Sequence, residues 1–125
     1  MVVIDTDILI WILRGEESVK SRFTEIVVET KGYVFITPVQ VSEIFTGLKE
    51  NEKIKTQAFL ESLNMIDIDK QIGEIAGEYI RKYKKSHSVT LADALVGASA
   101  KVNEFKLWTL NSKHYPMFED NEFAR

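Results

Sequence analysis

Four short apolar runs, Val2-Val3-Ile4, Tyr33-Val34-Phe35-Ile36, Met65-Ile66-Asp67-Ile68 and Leu107-Trp108-Thr109-Leu110, recur at wide intervals along the chain, and two helical patterns fill each interval. Strands joined by helical crossovers run parallel and are covered on both faces. The order β-α-α-β-α-α-β-α-α-β therefore predicts a three-layer α/β fold with a central parallel sheet of about four to five strands flanked by helices. Within the intervals, Ile8 to Leu13 predicts a short helix interrupted at Gly15. Ser18 then caps a segment that places Val19, Phe23, Ile26, Val27 and Thr30 on one face before Gly32 stops it. Thr37-Pro38 is a cap followed by proline at the first helical position, opening a helix to about Gly47 or Leu48. The charged run Lys49 to Lys55 turns into a helix ending near Leu63. Asp69 caps the most regular helix, with Ile72, Ile75, Ala76, Tyr79, Ile80 and Tyr83 on the 3.6-residue period, and Thr90 opens the last one, through about Asn103. No repeat, low-complexity tract or linker divides residues 1–125, which are expected to form a single domain.

The apolar runs differ in how they end. Val2-Val3-Ile4 delivers Asp5-Thr6-Asp7, and a strand that presents acids at its carboxyl end fits the ligand crevice of an open α/β sheet. Glu43 and Asp93 are further lone acids, in Val39-Gln40-Val41-Ser42-Glu43-Ile44-Phe45 and Thr90-Leu91-Ala92-Asp93-Ala94-Leu95. Burying a charge is costly unless something pairs with it, and one shared divalent cation would pair all three. Without cysteine, any metal must be held by oxygen or histidine, and the oxygen set suits a hard cation such as Mg²⁺. Each acid also has a plainer role open to it. Thr90-x-x-Asp93 resembles a capping box, Glu43 can be an exposed helix acid, and Asp7 can cap a helix beginning at Ile8. Against the plainer role for Asp93, the row Asp93, Gly97, Ala100 leaves space beside the carboxylate for a ligand or another backbone. His87 and His114 lack metal-ligand spacing and read as polar loop residues.

The 45% hydrophobic and 28% charged content is that of a soluble globular protein, and no apolar run approaches the ~20 residues of a membrane span. A cytoplasmic location, with no membrane association, is expected. A net charge of −3 argues weakly against a broad electrostatic nucleic-acid surface. A local cluster, Arg81-Lys82-Tyr83-Lys84-Lys85-Ser86-His87, can either complement the end of its own helix or hold a phosphate backbone at the mouth of the acidic pocket. There is no phosphate-cradling glycine loop and no Ser/His/Asp arrangement.

Together, Val3-Ile4-Asp5-Thr6-Asp7-Ile8-Leu9, Ser42-Glu43, Leu91-Ala92-Asp93-Ala94 and Leu107-Trp108-Thr109-Leu110-Asn111 resemble, in order, the motifs of a PIN domain, in particular those of VapC-type ribonuclease toxins. The resemblance covers residues 2 to about 118. It implies an endoribonuclease that hydrolyses RNA phosphodiester bonds with Mg²⁺ or Mn²⁺, a cognate antitoxin and a homodimer as partners, Asp5, Glu43 and Asp93 as metal ligands, and Thr109 as a supporting hydrogen-bond donor. It also marks a departure: Asn111 stands where many members of the family carry a fourth acid, which leaves the number of bound ions open, and Asp7 is a second source of negative charge. Trp11, Phe45 and Leu48 are candidates for contacts between copies or for core positions. Two other readings share the first motif. A haloacid-dehalogenase-like phosphatase would use Asp5 and Asp7 with Thr37 on phosphate, but Asn111, Ser112 and Lys113 stand where its later acids belong. A receiver-like or degenerate metal-binding domain would need a phosphoacceptor, and Asp67 or Asp69 is the nearest candidate.

Overall fold

A computed structural model describes residues 1–125. The first strand, β1 (Val2–Ile4), is short because its last residue is followed at once by the cap of α1 (Thr6–Leu13). Then come α2 (Glu17–Glu29), β2 (Val34–Ile36), α3 (Pro38–Thr46), a 3-10 turn at Glu50–Glu52, α4 (Lys53–Glu61), β3 (Asn64–Met65), α5 (Lys70–His87), α6 (Leu91–Asn103) and β4 (Lys106–Trp108). The strands order as β3-β2-β1-β4 and all pair in parallel. This is the expected three-layer arrangement, with four strands. No helix is long and apolar enough to cross a membrane.

Side chains alternate across a strand, and β1 shows why the sheet is covered twice. Val2 and Ile4 join Val34, Ile36 and Trp108 in a core closed by Ile8 and Leu9 of α1, Ile26 of α2, Ile44 of α3 and Leu60 of α4. Val3 faces the other way, with Leu107, against Ile72 and Ala76 of α5 and Ala94, Ala98 and Ala100 of α6. Complete burial of an aliphatic side chain contributes about 1.5–3 kcal/mol, so the three residues of β1, at most 6% exposed, anchor both layers.

Several expected boundaries move, for identifiable reasons. Helix α1 begins at Thr6 rather than Ile8, because Asp5 and not Asp7 is its N-cap. Helix α2 begins at Glu17, one residue before Ser18, behind a Glu16 cap whose side chain makes no bond to the helix backbone and instead accepts from the Ser18 hydroxyl at 3.1 Å. Gly32 ends the segment as expected, at φ +85°. Thr37 and Asp69 cap α3 and α5, with Thr37 and Gln40 closing a reciprocal capping box. The third strand lies at Asn64–Met65 rather than Met65–Ile68, since it pairs only with β2 at the sheet edge, and Ile66 makes one last bond to the Ile36 carbonyl before the chain turns its side chain into the core. The fourth strand stops at Trp108, because Thr109 and Leu110 bond to acids instead of to the sheet.

Candidate active site

Strands β1 and β4 end side by side, and the last rung between them is the Asp5 amide donating to the Trp108 carbonyl at 2.9 Å. The chain then turns into α1, which leaves the Asp5 side chain at the sheet edge, only 9% exposed. Three donors hold it: the Thr6 amide on Oδ1 at 2.8 Å, and the hydroxyls of Thr109 and Tyr115 on Oδ2 at 2.8 and 2.9 Å. A carboxylate accepts about four hydrogen bonds, so one acceptor position remains for a ligand. Burial raises the Asp5 pKa and the charge of Asp93 raises it further, while the three donors act in the opposite direction. Tyr115 is fully buried, and burial followed by the charges of Asp5 and Asp93 drives its phenol far above the usual range. It therefore stays a donor to Asp5.

Tyr115 reaches that position through α6. Gly97 leaves room on the helix face, and a side chain there would begin 3.5 Å from the Tyr115 ring and 3.4 Å from Phe118. The small-residue row seen in the sequence thus seats the segment after β4 instead of leaving open space.

Asp7 is not the helix cap. Its Oδ1 accepts from the Ile8 amide at 2.7 Å, and its Oδ2 accepts from the Leu110 amide at 3.0 Å and from Asn111 Nδ2 at 2.9 Å. This clasp ties α1 to the end of β4. The Thr109 hydroxyl also lies 3.4 Å from Asp7, but its single proton serves the shorter contact to Asp5. Burial, and then the neighbouring charge of Asp5, raise the Asp7 pKa.

Glu43 is exposed on α3 and is drawn to this edge by the Thr6 hydroxyl, which donates to its Oε1 at 2.6 Å. Asp93 lies in the first turn of α6. Thr90 caps that helix by accepting from the Asp93 amide at 3.1 Å, but the Asp93 carboxylate makes no return bond, so the reciprocal capping box is absent and the carboxylate is free of the backbone. His114 Nδ1 stands 3.9 Å from Asp93 Oδ2 and brings an imidazole to the site. The five residues singled out in the sequence, Asp5, Glu43, Asp93, Thr109 and Asn111, thus gather around one end of the sheet. As they stand, no three acid or imidazole side chains close on a common point tightly enough to hold a metal ion. The donor chemistry fits a hard cation, in that Asp5 is a buried carboxylate with an unused acceptor position and a second negative charge close by.

Sequence reasoning passed over Thr6, Gln40 and Tyr115, and it took His114 for a plain loop residue. Gln40 is fully buried. Its Nε2 donates to the Ile4 carbonyl at 3.0 Å while its Oε1 accepts from the Thr37 amide at 3.0 Å, which ties the end of β1 to the start of α3. Thr37 is fully buried in that network and cannot meet a phosphate, which removes one element of the phosphatase reading. Asp67 follows the edge strand β3 and is exposed, unlike a phosphoacceptor at the end of a central strand. The basic cluster occupies the end of α5, where Lys84, Lys85 and His87 complement the helix terminus and Arg81 pairs with Glu78 at 3.0 Å.

The family model for the PIN domain matches residues 2–117. This chain belongs to the PIN-domain family. Among PIN proteins it is 33% identical over 120 residues to ribonuclease VapC10 of Mycobacterium tuberculosis, an alignment covering 95% of this chain and 89% of the relative. It is 31% identical over 121 residues to ribonuclease VapC19 of the same organism, covering 96% of each. Among solved structures, a toxin-antitoxin complex from Klebsiella pneumoniae superposes with a TM-score of 0.81 at 21% identity, over 100% of this chain and 97% of that one. DNA-bound VapBC from Salmonella typhimurium gives 0.74 at 18% identity, over 91% and 89%. These two likenesses reinforce the PIN fold.

Proposed function

We propose that this PIN domain is a Mg²⁺- or Mn²⁺-dependent endoribonuclease, the toxin of a toxin–antitoxin pair, acting in the cytoplasm and inhibited by an antitoxin that covers the acidic edge of the sheet. The observation that carries the reading is Asp5, a carboxylate buried at the end of the central strand β1, held by three donors and still able to accept from a ligand. Kinship with the ribonucleases VapC10 and VapC19 over nearly the whole chain supports RNA as the substrate. The solved toxin-antitoxin neighbours support a protein partner. A homodimer completes the proposed assembly.

Asp5, Asp93 and Glu43 would hold the divalent ion, which when bound lowers the pKa of a water and offsets charge on the scissile phosphate. The rest falls to the chain. Thr109 and Tyr115 fix the rotation of Asp5, so that its free acceptor position is presented without reorganisation during the reaction. Thr6 restrains Glu43 at the mouth. Asp7 and Asn111 hold Thr109 in register by pinning the backbone on either side of Leu110. Asn111 adds no charge, so the site has one acid fewer than a four-carboxylate centre, and Asp7 partly makes up the difference.

Purified protein incubated with total cellular RNA and Mg²⁺ or Mn²⁺ tests the proposal, with EDTA and Asp93→Asn as controls. Discrete fragments that vanish in both controls are expected. Cleavage that persists in Asp93→Asn or in EDTA would defeat the assignment of the site.

A further inference from the structure

The acids of the site differ in how much of their hydrogen-bonding capacity is already spent. Asp5 accepts from three donors, Asp7 from two amides and the Asn111 side chain, and Glu43 from the Thr6 hydroxyl. The Asp93 carboxylate accepts from none, although its side chain is only 21% exposed. A carboxylate so placed is costly unless a cation compensates it. What faces it is an imidazole, with His114 Nδ1 3.9 Å from Asp93 Oδ2. That separation is too long for a hydrogen bond. It is shorter than the sum of two metal–ligand bonds of about 2.1 Å each, so one ion between the two atoms can bind both. The backbone aims the imidazole there. After Asn111 the chain makes a 3-10 turn, Ser112–His114, in which the His114 amide donates to the Asn111 carbonyl and the Tyr115 amide to the Ser112 carbonyl, each at 2.9 Å. Consecutive side chains of this turn reach two different acids, His114 to Asp93 and Tyr115 to Asp5. The His114 ring is half-exposed and makes no hydrogen bond of its own, which leaves it free to turn onto an ion. The other histidine of the chain, His87, is engaged at the end of α5, 2.8 Å from Ser86 Oγ and edge-on to Tyr83.

We propose that His114 is a nitrogen ligand of the divalent ion, bound through Nδ1 beside Asp93, and that it makes the site select Mn²⁺ over Mg²⁺. The proposal rests on the metal-dependent nuclease reading above and narrows its choice of ion. Ligand chemistry sets the direction. Mg²⁺ takes oxygen ligands in a strict octahedron and gives up water reluctantly. Imidazole suits first-row transition ions, of which Mn²⁺ is the one that also accepts a carboxylate set. An imidazole also adds a donor without adding charge. In a centre one acid short, it therefore strengthens the hold on a transition ion while doing little for Mg²⁺, whose attraction is chiefly to charged oxygen.

The test is Mn²⁺ binding by the purified chain without RNA, followed by electron paramagnetic resonance. Loss of the free-ion signal gives the affinity, added Mg²⁺ gives the competition, and electron spin-echo envelope modulation of the bound ion reports an imidazole nitrogen. We expect nitrogen modulation in the unaltered chain and in His87→Ala, and none in His114→Ala. Mn²⁺ affinity in His114→Ala should fall about tenfold or more, since losing a residue that merely orients a ligand already costs about 10–100-fold. Mg²⁺ affinity should change much less. His114→Asp should recover Mn²⁺ binding without the nitrogen signal and with a smaller preference over Mg²⁺, a pattern that a merely structural histidine would not produce. An unchanged melting temperature of His114→Ala in EDTA separates weaker binding from misfolding. Bound Mn²⁺ without nitrogen modulation, or modulation that persists in His114→Ala, would overturn the ligand and leave the nuclease reading standing. Equal losses of Mn²⁺ and Mg²⁺ affinity in His114→Ala would overturn the selectivity. No Mn²⁺ binding by the unaltered chain would overturn both the ligand and the metal-dependent reading it rests on.

Discussion

Asp5 is held at the sheet edge against its own electrostatics. Its carboxyl binds a proton more tightly in the fold than in the unfolded chain, because burial and Asp93 outweigh its three donors. Such a group favours folding while it is protonated, and that contribution is lost as pH rises through its folded pKa. At neutral pH and without metal, ionised Asp5 therefore works against the fold. Asp5→Asn should abolish cleavage and raise the melting temperature measured in EDTA at neutral pH, with the two melting curves converging as pH falls into the ordinary carboxylate range. A lower melting temperature for the variant at neutral pH would show that Asp5 stabilises the fold. Tyr115 can be probed more finely. Tyr115→Phe keeps the ring in its seat and deletes one bond to a charged group, worth about 1.5–3 kcal/mol, so cleavage should fall about tenfold or more while urea unfolding shows the protein still folded.

At the level of elements, the site is a junction of ends: β1 into α1, the start of α3, the start of α6 and the segment after β4. Gln40 stitches the first and second of these together. Gln40→Leu would leave the Ile4 carbonyl and the Thr37 amide without their partner, and should cost about 2–4 kcal/mol in urea unfolding even though the new side chain is apolar. Gly97 sets the spacing between α6 and Tyr115. Gly97→Ala should stay within about 1 kcal/mol of the parent and remain active, while Gly97→Leu should lose about 1–3 kcal/mol and cut less RNA than Tyr115→Phe, because it pushes the whole ring aside. These joints were unevenly legible in the sequence. Periodicity and caps placed all four strands and six helices in order, and an acid at the end of an apolar run pointed to Asp5, because those signals are local. Tyr115 escaped because its partner is 110 residues away and nothing in its own neighbourhood requires a buried polar group, whereas Gln40 stands in a local capping pattern with Thr37 but its second partner, the Ile4 carbonyl, is 36 residues away. Gly97 did carry a signal, in that a small-residue row demands a bulky neighbour, but the neighbour could not be named from spacing.

For the molecule as a whole, the buried acids Asp5 and Asp7 are a cost to the fold when ionised, which a bound cation would offset. A ligand that binds only the folded state at a hundred times its Kd adds about 2.7 kcal/mol. Titrating Mn²⁺ into the purified chain should therefore raise its melting temperature by several degrees, EDTA should reverse the rise, and Asp93→Asn should lose most of it. A rise of equal size in Asp93→Asn would place the ion elsewhere. The anchoring carboxylate sits at residue 5, and the two hydroxyls that lock it come from residues 109 and 115. Synthesis proceeds from the amino end, so Asp5 leaves the ribosome long before either hydroxyl has been made, and the site cannot assemble until the segment after β4 has emerged. Until that segment is out, the carboxylate that anchors the site has neither of the hydroxyls that fix its rotation, so the order of the chain itself delays the assembly of the acidic edge.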